Sequence, residues 1–464
     1  MNRMHAWDGR HVAAVGLGVS NLAAAEYLLK RGAVVVGHDR KSRGELGTVV
    51  DQLEYRGMSF CLGDGYLDGL DRYDTVLLSP GVPKQCPQIA SLLGRVPVIS
   101  EVDLVFQLAE APIIGITGSS GKTTTTTLIG RMLEASGIDT IVGGNIGQPL
   151  IGQVQDIPAG SRIVLELSSF QLEWMRTSPQ YALVTNISEN HLDVHGTMET
   201  YVSAKGSIVR HQLPGDYAVL NAADPWAQTF ADQCRGTVYW FGGSEQALPG
   251  AGMENGVLVF RDGNGHQTEI CRRSDIALPG DHNLENVLAA SCLAYLAGAS
   301  WEGIRKAVKS FRGVSHRLEF IGAVDGVSFY DDSIATSPAR STAAVASFSQ
   351  PVVLIAGGRD KGLSYGKWAR SLRRRVRDLI LLGEAASLLE EAVNEEFGSA
   401  VPFGVQKTAD MAAAVAAARA AARQGDIVLL SPACASFDMY SDFEARGRDF
   451  REQVQRQAKG VARP

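Results

Sequence analysis

Short apolar runs alternate with amphipathic, helix-like stretches along the whole chain. Examples are HVAAVGLG (11–18), DTVLLSPG (74–81), PIIGITG (112–118), RIVLELSS (162–169), YALVTNIS (181–188), PVVLIAGG (351–358), DLILLG (378–383) and DIVLLSPA (426–433). Each ends in small or polar residues and is followed by a helical pattern. That order predicts α/β units whose sheets are mostly parallel and buried on both faces. The Ala-rich stretch from Met411 to Ala422 predicts a further helix, with Thr408 as N-cap and Gly425 as C-cap.

A length of 464 residues suggests about three domains at ~100–200 residues each. A new strand opens in EAPIIGITG, and a helix ending at Phe311 gives way to strands near FRGVSHRLE. The expected domains are therefore 1–108, 109–313 and 314–464. There is no tandem repeat and no low-complexity linker.

Composition narrows the function classes. A formal charge of -6 with 20% charged residues advertises no surface for nucleic acid or an anionic membrane. The basic cluster Arg373, Arg374, Arg375 and Arg377 is placed on a helix as a solvated face. No N-terminal apolar run is long enough for a signal peptide or a spanning helix. The six cysteines are scattered without a C-x-x-C pair, which fits reduced thiols in a cytosolic protein.

Candidate chemistry lies in the strand-to-helix turns. Gly16 and Gly18 follow the first strand, but Asn21 stands where a third fingerprint glycine belongs. What this leaves is a helix start able to receive a phosphate, with Asp39 at the end of the second strand in ribose range. Ser79 and Gly81, ending another strand, add a second backbone contact. TGSSGKTTTTT (117–127) is a strand–glycine loop–helix context for phosphate, although Ile116 occupies the first glycine position of the usual pattern. Gly118 and Gly121 allow close backbone approach, Lys122 reaches the β- and γ-phosphates, and the Thr123 hydroxyl holds magnesium. Glu166 lies inside an apolar run, where a carboxylate is costly unless paired or metal-bound. His191, Asp193 and His195 follow another strand, and a zinc cluster there ranks below a magnesium–phosphate site. LLSPACASFDMYSDF follows a strand and reads as the start of a helix, where Ser436 and Phe437 offer N–H groups and a hydroxyl to a carboxylate.

Taken together, TGSSGKTT, GGNIGQP, LELSSFQLE, NISENHLDVHG, YVSAKGSIVR, LPGDHNLENVLAA, SHRLE, DDSIATSP, GGRDKG and LLSPACASFDMYSDFEARGRDF resemble the ATP-dependent Mur ligases of peptidoglycan synthesis over essentially the whole chain. SSFQLE combined with SPACASFD is characteristic of their glutamate-adding branch. The resemblance implies an α/β protein of three domains: a Rossmann-like N-terminal domain for a UDP-sugar, a central P-loop ATPase-type domain with a mostly parallel sheet, and a Rossmann-like C-terminal domain that binds glutamate and closes over the site. It implies ligation of D-glutamate to UDP-N-acetylmuramoyl-L-alanine through an acyl phosphate, releasing ADP and phosphate. It also implies a cytoplasmic monomer.

The same resemblance assigns residues. ATP falls to Gly118, Ser119, Ser120, Gly121, Lys122, Thr123, Thr124, Asn283, Asn286, Arg317 and Asp332. The UDP-substrate falls to Gly18, Val19, Ser20, Asp39, Arg40, Ser79, Gly81, Asn145 and His191. Glutamate falls to Thr336, Lys361, Ser436, Phe437 and Phe443. Two magnesium ions are implied, on Thr123, Glu166, His191 and Lys205. The last matches a lysine that is carbamoylated by CO₂ in the family; on the residues alone it is a helix-surface lysine. Lys122, Glu166, His191 and Lys205 form the implied catalytic set.

Two departures stand out. Ile334 replaces a lysine familiar near the reacting phosphoryl group, so a positive charge is missing or comes from elsewhere. Arg40 and Lys41 follow Asp39 where a Thr-Arg pair is familiar. A related branch with a similar DSI segment adds L-glutamate, and folylpolyglutamate synthases share single motifs, so both remain alternatives.

Overall fold

A computed structural model describes residues 7–82, 84, 86–144, 149–190, 192–242, 249–278, 280–398 and 400–460. Its strands fall into three successive sheets. The first holds β1 (His11–Val15), β2 (Val34–Asp39), β3 (Ser59–Leu62), β4 (Thr75–Leu78) and β5 (Val98–Ile99), ordered β3-β2-β1-β4-β5 and wholly parallel. The order reverses between β1 and β4, so the crevice beyond their C-terminal ends is the switch point where α/β sheets bind ligands.

The second sheet holds β6 (Ile113–Thr117), β7 (Thr140–Gly144), β8 (Arg162–Glu166), β9 (Tyr181–Val184), β10 (Tyr217–Asn221), β11 (Thr237–Phe241), β12 (Gly250–Glu254), β13 (Val257–Arg261) and β14 (Gln267–Arg272). Its order is β14-β13-β12-β11-β10-β9-β6-β8-β7, and only the β12–β13–β14 edge is antiparallel. The third sheet holds β15 (Glu319–Val324), β16 (Val327–Asp331), β17 (Val352–Gly357), β18 (Val376–Leu382), β19 (Gly404–Lys407) and β20 (Ile427–Ala433), ordered β15-β16-β20-β17-β18-β19. Only its β15–β16 hairpin is antiparallel. This is a three-domain α/β architecture with mostly parallel sheets.

Packing joins the first two sheets. Leu28, Val35, Leu104 and Val105 share one buried cluster with Ile113, Leu150, Ile163 and Leu165. The chain accordingly divides into two compact units, 1–311 and 312–464. The second unit has its own core on both sheet faces. Leu354 and Ala356 pack with Trp368 and Leu389, while Val353 and Ile355 pack with Val415 and Phe450. This is the period of two of a doubly covered strand.

Three expectations need correction. The Ala-rich helix is Met411–Ala421; its C-cap is Ala422, not Gly425, and its N-cap is Asp410, whose carboxylate accepts from Ala413 N–H. Thr408 instead donates its hydroxyl to Leu381 O across the sheet. The arginine cluster is not helical: the helix Gly366–Leu372 stops before Arg373, and Arg377 already lies in β18. β-Branched Val376 and the apolar run behind it favour strand there. Finally, SPACASF does not open a helix. The last helix starts only at Phe443, and Ser436 sits in a turn, its carbonyl accepting from Met439 and Tyr440 N–H.

Candidate functional site

The phosphate-type loop lies between β6 and the helix Lys122–Ala135. Gly118 has φ 147° and Gly121 φ 80°, conformations that L side chains rarely adopt. Added Cβ atoms would also collide, Gly118's with Thr185 Oγ1 at 1.9 Å and Gly121's with Asn286 Oδ1 at 2.3 Å. The loop is thus pressed against its supports. Ser119 N–H donates to Asn186 O (2.8 Å), Ser120 N–H to Asn186 Oδ1 (3.0 Å), and Thr185 Oγ1 to Ser120 O (2.6 Å). Thr185 and Asn186, at the end of YALVTN, were missed as loop supports; their only signal is a polar pair closing an apolar strand. Lys122 folds back over the loop, Nζ donating to Gly118 O (2.8 Å) and Ser119 O (3.1 Å).

Three of the threonines that follow the loop have hydrogen-bonding roles. Thr123 Oγ1 donates to Glu166 Oε2 (2.7 Å), Thr125 Oγ1 to Asn286 Oδ1 (3.3 Å), and Thr127 Oγ1 to Thr123 O (2.8 Å). Alternate hydroxyls of the run therefore face the acid at the end of β8, the helix Asp281–Leu296, and the helix's own backbone, while the buried Thr126 hydroxyl has no partner among the described residues. Asn283 lies one turn from Asn286, and its Oδ1 accepts from Asn286 Nδ2 (3.2 Å).

Lys205 is no surface lysine. It is 1% exposed on the helix Met198–Arg210, although it carries an amine. Nζ donates to Gly118 O (2.9 Å) and Thr117 Oγ1 (3.3 Å) and lies 4.8 Å from the centroid of the Tyr201 ring. Burial pushes its pKa well below the ordinary lysine range, and Lys122 pushes it further. A neutral amine is the form that reacts with CO₂, so the site suits a carbamate. Thr123 and Glu166 supply hard oxygen donors beside it, the ligand chemistry magnesium prefers. His191 and Asn145 lie outside the described residues, as does the side chain of Asp193. His195 is buried and bonded through Nε2 to Ser169 Oγ at 3.0 Å. Among the described residues the only close His/Asp/Glu group is His316, Glu319 and Asp331. All three members are engaged, His316 with Asp331 (2.7 Å) and Glu319 with Arg451 (2.7 Å).

At the first sheet, Gly18 precedes the helix Val19–Leu29 with no side chain capping its N–H groups. Val19, Ser20, Arg40 and Gly81 stand at or near the surface around this start. Ser79 packs on the turn, 2.8 Å from where a Gly16 Cβ would be. The Asp39 carboxylate accepts from Leu17 N–H (2.7 Å) and Lys41 N–H (2.9 Å), so it braces the turn from inside. Asn21, in the missing glycine's place, is buried and donates to Val15 O (2.9 Å) and Leu77 O (3.2 Å), tying β1 to β4. Lys84, from the same end of this sheet, pairs with Glu173 (3.0 Å) and donates to Phe170 O in the SSFQLE segment.

In the second unit, Lys361 Nζ donates to Thr336 Oγ1 (3.2 Å), so two of the sequence-assigned glutamate residues meet. Ser436 is buried, whereas Phe437 is 62% exposed. Phe443 accepts at its carbonyl from Ser333 Oγ (2.7 Å) and turns its ring edge-on to His316. Buried Asp332 accepts from Ser431 Oγ (2.8 Å) and Leu318 N–H (3.2 Å), and burial raises its pKa to about 7. Exposed Arg317 stands between His316 and Leu318, whose φ values are 61° and 43°; Ala433 at the end of β20 has φ 61°. Such strain in non-glycine residues persists only where surroundings enforce it. Arg446 was not foreseen. Its guanidinium donates to Ser333 Oγ and O, Gly357 O, Cys434 O and Ala435 O, fastening the ends of β16, β17 and β20 together.

Comparison with known proteins agrees along the chain. Residues 10–99 match the Mur ligase MurD-like N-terminal domain, 116–294 the Mur ligase middle domain, and 316–434 the Mur ligase glutamate ligase domain. A UDP-N-acetylmuramoylalanine–D-glutamate ligase of Symbiobacterium thermophilum is 49% identical, covering 96% of this chain and 97% of its own. One of the same name from Acetivibrio thermocellus is 42% identical over 96% of each. Solved structures share the fold: MurF from Acinetobacter baumannii (TM-score 0.56, 18% identity, covering 97% of this chain and 92% of its own) and UDP-N-acetylmuramate-alanine ligase from Thermotoga maritima (TM-score 0.53, 19% identity, covering 97% and 100%). With all three family domains in order and full-length relatives at this identity, the chain belongs to the Mur ligase family, among its UDP-N-acetylmuramoylalanine–D-glutamate ligases.

Proposed function

We propose that the chain joins D-glutamate to UDP-N-acetylmuramoyl-L-alanine with cleavage of ATP to ADP and phosphate, a step of peptidoglycan precursor synthesis. The observation that carries this reading is the buried Thr123–Glu166 pair beside a glycine phosphate loop, with the Lys205 amine behind it. In this reading 1–108 holds the UDP-sugar, 109–313 the nucleotide and 314–464 the amino acid, and the protein acts as a cytoplasmic monomer.

The N–H groups at the start of Lys122–Ala135 cradle the phosphates, and Gly118, Ser119, Ser120, Gly121 and Thr124 line the loop around them. Lys122 exchanges its loop carbonyls for the β- and γ-phosphate oxygens. Asn283 and Asn286 serve the adenine side, and Arg317 and Asp332 make further ATP contacts. Thr123, Glu166, His191 and a carbamate on Lys205 would hold two magnesium ions, which neutralise charge on the transferred phosphoryl group. Gly18, Val19, Ser20, Arg40, Ser79, Gly81 and Asn145 face the UDP-sugar. Asp39 acts there by holding the turn that receives it. Thr336, Lys361, Ser436, Phe437 and Phe443 surround the amino acid.

The alanine carboxylate takes the γ-phosphoryl group, giving an acyl phosphate and ADP. The glutamate amine attacks the acyl carbon, the tetrahedral intermediate expels phosphate, and the amide remains. Little covalent work falls to side chains, so positioning and charge neutralisation dominate. The test is phosphate release from ATP with UDP-N-acetylmuramoyl-L-alanine and D-glutamate, L-glutamate or no amino acid. Release is expected with D-glutamate. Release with L-glutamate alone would move the chain to the other branch, and release with neither would remove the reading.

A further inference from the structure

Ile334 leaves an apolar side chain where a cation is familiar beside the reacting groups. The fold brings a different cation to the same loop. Arg340, on the helix Pro338–Ala346, reaches back so that Nη1 donates to Ile334 O at 3.2 Å. Thr336 lies on that loop and holds the Lys361 ammonium at 3.2 Å. The two cations are close enough to feel one another: burial lowers the Lys361 pKa first, and the Arg340 charge lowers it further.

Neither cation is balanced. Among the described residues neither Arg340 nor Lys361 forms an ion pair with a carboxylate, unlike Arg359 with Glu384 and Arg377 with Asp426. Arg340 also stands third in its helix, in the first turn, where the helix dipole disfavours positive charge. Two like charges held by one loop, at Ile334 O and Thr336 Oγ1, with one of them against a helix dipole, repel each other and are relieved when an anion binds between them. A guanidinium suits a carboxylate in particular, because its planar fork matches the two oxygens.

We infer that Arg340 is a second anion-binding residue of the amino-acid pocket, joining Lys361 at the carboxylates of the incoming glutamate. The inference rests on the glutamate-ligase reading above. The closeness to Lys361 and Thr336 favours a carboxylate over the transferred phosphoryl group as its partner.

The test compares the full-length wild type with Arg340→Ala and Arg340→Lys in the phosphate-release assay. Arg340 is exposed, so unfolding midpoints should match the wild type. The single alanine variant should raise KM for D-glutamate by roughly tenfold or more, the scale of a lost charge-assisted bond, and leave KM for the UDP-sugar within about twofold. The lysine variant should fall between. A fall in kcat with the D-glutamate KM unchanged would assign Arg340 to the phosphoryl group and overturn the inference. So would an alanine variant that behaves as wild type. A wild type without glutamate-dependent release would instead remove the underlying reading, an outcome visible before any variant is made.

Discussion

At the residue scale, the side chains that matter are those whose chemistry conflicts with their surroundings. Lys205 is the clearest. A cationic amine fully withdrawn from water is expensive, and its pKa falls accordingly. The conflict ends if the amine becomes an anionic carbamate able to hold a metal. Lys205→Ala should therefore lose nearly all phosphate release, and added short carboxylates such as formate or acetate should restore part of it by filling the vacated space. An alanine variant as active as the wild type would refute the carbamate role. Lys205 also shows the limit of reading single residues: METYVSAKGSIVR carries no sign that its lysine points inward, because nothing within four positions differs from an ordinary amphipathic helix.

At the element scale, local rules placed most strands and helices but erred where side chains compete for the same backbone. Both Thr408 and Asp410 can cap a helix. The structure gives the role to Asp410, because the Thr408 hydroxyl is drawn to Leu381 O. Asp410→Ala should cost about 1 kcal/mol of stability, the usual worth of such a cap, read from denaturant unfolding. A loss near zero would show that the helix is held by packing alone. The turn at Ser436 was misplaced for a related reason. Helix-start residues appear in SPACASFD, but Cys434 O and Ala435 O are claimed by the Arg446 guanidinium. A residue eleven positions further along thus fixes the loop in a shape that propensity does not describe.

At the scale of the whole molecule, the first two sheets behave as one body because they share a core, and residues 312–464 carry a core of their own. Connections between such bodies are where proteases act first. Limited trypsin digestion should cut early at exposed Arg312, giving fragments of which the larger retains both the first and second sheets. Early cleavage near Leu108 instead would mean that the shared core does not hold those sheets together. No helix among the described residues is long and apolar enough to cross a membrane.

By itself the sequence determined the order of strands and helices, the glycines of the phosphate loop, the buried acid Glu166 and family membership. These are legible because they are written in short windows: continuous apolar runs, turn residues and fixed motif spacings. Tertiary structure alone decided which groups meet. Thr123 reaches Glu166 across 43 positions, Lys205 reaches Gly118 across 87, and Arg446 reaches Ser333 across 113. It also decided that Asp39 braces a turn and that Arg340 comes to the loop of Ile334. Such meetings depend on sheet order and on which helix face is turned inward, and neither is specified by residues close together in the chain.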